Sequence, residues 1–564
     1  MSNPEDAAAA PPGEEVKPYK IHVSTRYLDL TRKKLELTRL PHEKADPRST
    51  DWWEPKPQVE PLIDFWLEQY SWRDHETHLN ASVPQFRTSI LVPPAQTPAR
   101  LHFIHAQSPH ANAVPLLLIP PFPVTNLSLS HLIQPLIDPD DAAVTQPFHV
   151  VIPSLPGLGF SDALANNTPM ISTTAAMLDV LMGRLDYPHY IASNTASAAG
   201  SPSEIDWQLI RYLSEHYQES CLGCHFISPP LKAPERQDSL LEWLKWLIVS
   251  FLSKPMFGYT QEDVSAVQRT QSTRKAGKQE TALQQLGLNA QGGKEPNTLA
   301  YALCDSPVGM LIFTLMIMRV LGLTKQLSPK ETITLAELTW LPGPEGTLRY
   351  WAHCGNHVEQ KRAPSGRRPK IALTVFPGED QTSDTEVGKA PELLPLAAPS
   401  TYACPAWASL RYEVLASSRV AGDPKLVAWE RPEVISAGVR DLSKAILKTD
   451  TRMRAAEHPG SALLEQIVVP GGQNLAPAEM SGTTVQVTPG GSTDAAMASP
   501  LKKPLTPTTV GDHLAPPTAD GRPRTPPVRS SNEASPSPID TDPAVPPADS
   551  NESSPDTVIT VRQT

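Results

Sequence analysis

Cysteine is scarce in this chain of 564 residues. A sparse and odd number of cysteines in a large chain does not form a disulfide framework, which indicates a reducing compartment. We therefore expect the protein to be cytoplasmic. The cysteines are Cys221, Cys224, Cys304, Cys354 and Cys404.

Positive charge and long apolar runs are also limited. The 49 Lys and Arg residues are outnumbered by 60 Asp and Glu residues, which gives a net charge of −11. This balance argues against nucleic-acid binding, which needs a basic face. The most apolar runs, Leu240–Leu252 and residues 308–323, are interrupted by charged residues. Neither reaches the roughly 20 uninterrupted apolar residues of a transmembrane helix, so we expect no membrane span. Residues 1–16 lack the apolar core and basic leader of a signal peptide.

Proline is abundant, with 62 copies, many of them near the C-terminus. We predict that residues 1–16 and 458–564 are disordered, because such segments cannot bury enough apolar surface to offset their ordering entropy. The C-terminal tail carries Ser-Pro and Thr-Pro pairs, which either are phosphorylation sites or follow from composition alone. The tail is thus a candidate for protein binding or phosphorylation. The pairs begin at Ser499, Thr506, Thr525, Ser535, Ser537 and Ser554.

The central part of the chain alternates short apolar runs with helix-length segments. Such a pattern is typical of buried parallel strands and predicts an α/β fold with a doubly wound, mostly parallel sheet. Residues 231–345 are mostly helical and interrupt the strands, as an inserted cap would. Within them, the polar stretch 268–294 predicts a solvated loop. The predicted strands are 86–91, 100–105, 114–119, 148–153, 190–193, 221–227, 370–376 and 412–417, and a helix is predicted at 432–447.

The stretch 187–200 predicts the corner on which a reactive side chain would stand. A short apolar run leads into small residues, and a capping box with proline at the first helical position follows at 201–204. The helix that begins there is predicted to end near Tyr217. Strand, tight turn and helix form the setting in which α/β hydrolases carry their nucleophile.

Several segments spread from Lys17 to Lys448 form an ordered series. They are 17–23, 37–41, 65–73, 79–80, 84–86, 102–105, 147–162, 298–303 and 305–309. In this order they resemble the microsomal-type epoxide hydrolases, a family within the α/β-hydrolase superfamily. The resemblance implies an N-terminal arm at 17–85, a core at 86–230 and 346–457, and a helical cap at 231–345.

The family's chemistry begins with an Asp nucleophile that opens the epoxide and forms an ester. The resemblance places that nucleophile at Ala196, which has no nucleophilic atom. Ser197, one residue further, is one alternative. Asp206, which precedes Trp207, is another, although a carboxylate near a helix N-terminus is the simpler interpretation of Asp206.

In the family, a His that is oriented by an acid activates the water that cleaves the ester. The resemblance places this base at Lys425, and no His occurs between Glu379 and His458. Lysine acts as a base only where burial lowers its pKa. The acid position is retained as Glu379. The base is therefore predicted to be lost while the acid remains.

The cap tyrosines and the oxyanion loop are also altered relative to the family. One tyrosine position is Leu288, and the other falls next to Tyr350. In the loop, Pro120 and Pro121 have no N–H to donate, so Phe122 offers the one backbone donor that remains in that motif.

The motif Cys221-Leu222-Gly223-Cys224-His225 matches a haem-attachment pattern, but it lies on a predicted core strand. We interpret it as two buried thiols. His353, Cys354 and His357 form only a loose cluster, so we expect neither a metal nor a cofactor.

These features together predict a catalytically impaired or inactive epoxide-hydrolase-like protein. It would act as a binding or regulatory module, with a small apolar ligand as one candidate partner. The alternative is an active hydrolase of epoxides or esters on apolar substrates, which uses Asp206 or Ser197 with a non-standard base.

Overall fold

A mixed sheet forms the centre of the described part of the chain. The computed structural model describes residues 14–42, 55–165, 168–198, 205–276, 295–323, 325–356, 367–378 and 402–453. All of them belong to the first of two units into which the chain divides, Met1–Gly471.

The strands of these residues form one nine-stranded sheet in the order β1-β2-β3-β5-β4-β6-β7-β8-β9. The pairings between β1 and β2, β2 and β3, and β3 and β5 are antiparallel, and the others are parallel. The strands are β1 Lys17–Pro18, β2 Gln85–Ile90, β3 Ala99–Ala106, β4 Val114–Ile119, β5 Phe148–Pro153, β6 Tyr190–Asn194, β7 Cys221–Ile227, β8 Lys370–Val375 and β9 Glu413–Arg419.

The helices of the same residues begin with α1 Thr25–Glu36, α2 Lys56–Glu68, α3 Trp72–Ser82, α4 Ile133–Ile137, α5 Met170–Arg184 and α6 Ile205–His216. The series continues with α7 Leu240–Leu252, α8 Gln261–Ala276, α9 Pro296–Asp305, α10 Pro307–Val320, α11 Pro329–Trp340 and α12 Glu345–Asn356. It ends with α13 Pro405–Ala408, α14 Val427–Glu430 and α15 Pro432–Thr449.

Helices cover both faces of the sheet, which explains why its central strand β4 is a continuous apolar run. Every residue of β4 is buried. Its Leu117 joins the apolar cluster that contains α5 and α6, whereas Leu116 and Leu118 join the cluster that contains α15. Successive side chains of a strand point to opposite faces, so a strand buried on both faces needs a continuous apolar run.

The predicted strands are confirmed to within two residues at each end, and the α/β class with its mostly parallel sheet is confirmed with them. The loop predicted at 268–294 is wrong over its first part, because Gln261–Ala276 is helical. Polarity alone does not separate a loop from a helix. The capping box predicted at 201–204 and residues 277–294 lie outside the described residues.

The N-terminal arm packs on the helical cap through a separate apolar cluster. Leu35 of α1 and Ile63 of α2 meet Leu311 of α10 and Ile333 of α11 there. Polar contacts flank the cluster, and Trp66 Nε1 donates to Glu337 Oε1 over 2.9 Å. The arm thus supports the cap as well as the sheet.

A contact between two glycines joins the loop after β5 to helix α12. Gly157 lies in the loop after β5 with a φ of +79°, and Gly346 lies in the first turn of α12. A Cβ at Gly346 would be 2.7 Å from the carbonyl oxygen of Gly157, and a Cβ at Gly157 would be 2.9 Å from the backbone of Gly346. Neither position has room for a side chain.

Helix α15 approaches the sheet closely at Gly438. A Cβ at this position would be 2.1 Å from Nε2 of His225, a fully buried side chain on β7. The glycine therefore sets the distance between this helix and the strand.

We predict that Gly438→Ala lowers the free energy of unfolding by about 1–3 kcal/mol, because an added methyl overpacks the core against His225. Urea titration followed by circular dichroism measures the change. Gly183→Ala is the matched control, since this glycine lies in α5 with no atom within 4 Å of an added Cβ. The control should be neutral or gain up to about 1 kcal/mol. Equal losses in both variants would contradict the argument.

We also predict a pH-dependent stability that arises from Glu337. Burial raises the pKa of its carboxyl from 4.5 to about 8. Between these values the folded protein keeps a proton that the unfolded chain releases, so stability falls as pH rises through the interval, by up to about 1.4 kcal/mol per pH unit. Glu337→Gln should abolish that part of the slope in urea titrations.

The control for this experiment is Glu68→Gln, which changes an exposed carboxylate on α2. It should leave the slope as it is in the natural protein. A pH slope that is identical in the natural protein and in Glu337→Gln would show that the buried carboxyl does not retain its proton.

Candidate functional site

The turn after β6 is where the resemblance places the nucleophile. Ala196 follows the end of this strand and has 2% of its surface exposed. Thr195 Oγ1 donates to the carbonyl of Ile119 at the end of β4 over 2.8 Å, and Asn194 Nδ2 donates to the carbonyl of Ala196 over 2.6 Å. The turn is fixed by these hydrogen bonds, and its alanine presents only a methyl group.

The segment that carries the base position lies directly against this turn. The amide of Ser197 donates to the carbonyl of Lys425 over 2.8 Å, and the amide of Ala428 donates to the carbonyl of Thr195 over 3.0 Å. The structure thus brings together the nucleophile and base positions that the sequence predicted.

The Lys425 side chain forms an ion pair. None of its described contacts is to a candidate nucleophile. Its Nζ lies 2.9 and 3.0 Å from the two carboxylate oxygens of Asp423. An ammonium group that is paired in this way has no lone pair with which to accept a proton. Ser197 contacts Lys425 through backbone atoms, an arrangement that does not activate its hydroxyl.

The oxyanion loop and the cap tyrosine meet in an aromatic cluster. The fully buried ring of Phe122 lies 5.8 Å from the ring of Tyr350 and 5.5 Å from that of Trp351. The Tyr350 hydroxyl is 3.0 Å from Thr174 Oγ1, and 2% of this tyrosine is exposed. Side chains therefore occupy the space between this loop and α12.

A small apolar cavity remains beside the loop, between the core and the cap. Its walls include Pro123, Val124, Met310, Phe313 and Leu348. Its volume is about 30 Å³. Sites for small molecules usually enclose about 300–1,000 Å³, so this cavity is too small for such a ligand.

Asp206 lies in the first turn of α6 and is fully buried. The helix N-terminus favours a carboxylate at this place. The next residue, Trp207, packs its ring edge-on against Phe226 at 4.8 Å. This position agrees with the helical interpretation of Asp206. Glu379, the predicted acid, lies outside the described residues, as do Leu288, His357 and the tail.

A serine–histidine pair that the sequence did not predict lies inside the sheet. Ser193 Oγ is 2.9 Å from His225 Nδ1, and His225 Nε2 is 2.9 Å from Thr374 Oγ1. All three side chains are buried, and burial lowers the pKa of His225 to about 3, so the imidazole is neutral. Because α15 covers the pair at Gly438, its role is structural.

A buried ion pair connects the cap to the carboxyl end of the sheet. Asp263 in α8 receives hydrogen bonds of 2.9 and 2.8 Å from Arg419 at the end of β9, and another from the Tyr402 hydroxyl. The Thr260 amide donates to it over 2.8 Å. Burial opposes the charge, but these hydrogen bonds outweigh it and hold the pKa of Asp263 below its usual value.

The sequence analysis missed this network. A Thr-x-x-Asp pattern at 260–263 is a signal for a helix start, and Asp263 N does donate to Thr260 Oγ1 over 3.2 Å. The pattern gives no sign of Arg419, because that partner comes from a distant strand.

The cysteine motif lies on β7 as predicted, with Cys221 and Cys224 both buried as free thiols. Their sulfur atoms are 3.5 Å apart. Within the described ranges, no group of three or more His, Cys, Asp or Glu side chains is placed to hold a metal ion. Among the helices described, none has the length and apolarity needed to cross a membrane.

The sequence of this chain is similar to those of known epoxide hydrolases. Residues 16–129 match the family model described as epoxide hydrolase N terminus. A protein of Stigmatella aurantiaca, assigned to the epoxide hydrolases, is 27% identical over 377 residues, which cover 64% of this chain and 74% of that protein. Epoxide hydrolase 1 of Sus scrofa is 24% identical, with 78% of this chain and 90% of that protein covered.

A solved structure shows the same architecture. The epoxide hydrolase of Aspergillus niger superposes with a TM-score of 0.55 at 17% identity, covering 77% of this chain and 97% of that one. The fold is therefore that of an α/β hydrolase with a helical cap. The matched N-terminal segment and these relatives make the chain similar to the epoxide hydrolases.

We predict that Asp263→Asn lowers the free energy of unfolding by about 3–5 kcal/mol, because it leaves the Arg419 guanidinium partly buried without its carboxylate. Glu262→Gln, which changes an exposed neighbour in the same turn, is the control. Combining Asp263→Asn with Arg419→Met should cost less than Asp263→Asn alone, as thermal and urea unfolding can measure. A loss no larger than that of the control would contradict a stabilising role for the pair.

Proposed function

We propose that this epoxide-hydrolase-like protein does not catalyse epoxide hydrolysis and acts as a cytoplasmic binding or regulatory module. The observation that supports the proposal is the buried Ala196 in the turn after β6, the residue to which the resemblance assigns the nucleophile position. A methyl group cannot open an epoxide ring or form an ester.

The base position supports the same proposal. Lys425 is adjacent to the turn through its backbone, while its ammonium is engaged by Asp423. Loss of one member of a catalytic triad lowers the rate on the order of 10⁴–10⁶-fold. With both the nucleophile and base positions altered, a retained acid at Glu379 has no histidine to orient.

The aromatic cluster and the small cavity indicate what kind of partner the protein has. With Phe122, Tyr350 and Trp351 packed together, the cavity of about 30 Å³ next to Pro123 and Val124 is far below the size of a small-molecule site. We therefore propose that a macromolecular partner, rather than a small apolar ligand, is bound.

The test is hydrolysis of styrene oxide and trans-stilbene oxide by the purified full chain, with diol formation measured by chromatography. We expect diol to form at the uncatalysed rate. Asp206→Asn and Ser197→Ala should leave this rate unchanged, because neither residue acts as a nucleophile in this proposal. An active member of the family, assayed in parallel, is the positive control.

One outcome would overturn the proposal in favour of an active enzyme. It is diol formation clearly above the uncatalysed rate that is lost in Asp206→Asn or in Ser197→Ala. The variant that loses activity would also identify the nucleophile. Unchanged thermal unfolding of that variant would show that the loss is chemical and not a failure to fold.

A further inference from the structure

Helix α7 in the cap presents an apolar face to solvent. Its residues Leu240, Leu241, Leu244, Leu247, Ile248 and Phe251 are all exposed, and we call them the α7 apolar face. Phe251 is 86% exposed and Leu241 62%. At 100° per residue these six positions cover one continuous side of the helix. Met256 and Phe257, both exposed, continue this surface beyond the helix.

The opposite side of α7 is fixed to the protein. Val249 is fully buried there. Trp246 packs edge-on against Trp407 at 5.3 Å and also contacts Tyr259 at 5.8 Å. The helix therefore cannot turn its apolar face inward without losing these contacts.

The area of the face is that of a protein interface. From the exposed fractions and about 150 Å² for each large apolar side chain, the α7 apolar face with Met256 and Phe257 offers roughly 630 Å². The largest apolar patch of a typical monomer is about 300–600 Å². A stable complex buries about 800 Å² on each partner, so two copies of this surface are close to the size that a dimer needs.

The charges of α7 favour a protein partner over a lipid surface. Its charged residues, Glu242 and Lys245, pair with each other, with Lys245 Nζ 2.8 Å from Glu242 Oε1. Helices that bind membrane surfaces carry many Lys and Arg on their polar side, which α7 lacks. Because this apolar face carries no net charge, two copies of it can also meet without electrostatic repulsion.

We propose that the α7 apolar face is a self-association surface, on which a second copy of this chain packs its own α7 across a two-fold axis. Such an interface is isologous, because the same residues of both copies meet. Phe251, near the centre of the combined surface and the most exposed of the six, is the anchor. The proposal is independent of whether the protein catalyses hydrolysis.

The experiment measures the mass of the purified full chain by sedimentation velocity over about 1–50 μM, a range that detects dimers of ordinary stability. We expect a dimer. Leu244→Glu combined with Phe251→Glu should raise the dissociation constant on the order of 100-fold or more, because two charges would be buried at the contact. Leu37→Glu combined with Val144→Glu is the control, since these residues are 84% and 85% exposed outside α7.

Thermal unfolding and near-ultraviolet circular dichroism show whether each variant folds. If the double α7 variant does not, Leu241→Gln replaces it, because this side chain is 62% exposed and glutamine adds no charge. A monomeric natural protein would overturn the proposal. A dimer that persists in the folded α7 variant would overturn it as well.

Flotation with phosphatidylcholine vesicles, with and without phosphatidylserine, tests whether the α7 apolar face binds a lipid surface and not a second copy of the chain. We expect the protein to remain unbound. Monomeric protein that floats with vesicles, and loses this property in the α7 variant, would assign the face to a lipid surface and overturn the proposal.

Discussion

Two backbone hydrogen bonds, from Ser197 to Lys425 and from Ala428 to Thr195, hold the turn after β6 against the segment before α15. They use only amides and carbonyls, so they form whichever side chains stand at the two positions. The turn and this segment are therefore held together although Ala196, at the predicted nucleophile position, carries only a methyl group. The arrangement depends on the sheet, because β6 brings the turn to the carboxyl ends of the parallel strands where this segment also arrives.

Most of the sheet could be predicted from the sequence, because its strands carry their signal locally. The apolar run of β4 and the largely apolar runs of β5 and β7 each indicate a strand and its burial. The N-terminal arm and the order of motifs then indicated the family. Helix α8 was misjudged over Gln268 to Ala276, because the polar residues of this stretch show no amphipathic pattern.

The sequence offered positions for the candidate site but could not predict the contacts of those residues. The resemblance located Ala196, Lys425, Tyr350 and Phe122, and the structure places the first two side by side. The resemblance could not show that Lys425 pairs with Asp423, because a lysine at this position is compatible either with a base or with an ion pair. Nor could it show the Asp263 network, whose members come from α8, from β9 and from the segment before α13. Contacts between distant elements leave no local pattern.

The contact between Gly157 and Gly346 restricts which substitutions this chain can tolerate during evolution. Each glycine occupies the space that a side chain on the other would need, so a substitution at either one disturbs the joint between the loop after β5 and α12. Thr347 reinforces the joint by donating to the Gly157 carbonyl over 3.0 Å. None of these residues performs chemistry. Selection for the shape of the protein can thus preserve them independently of selection for turnover.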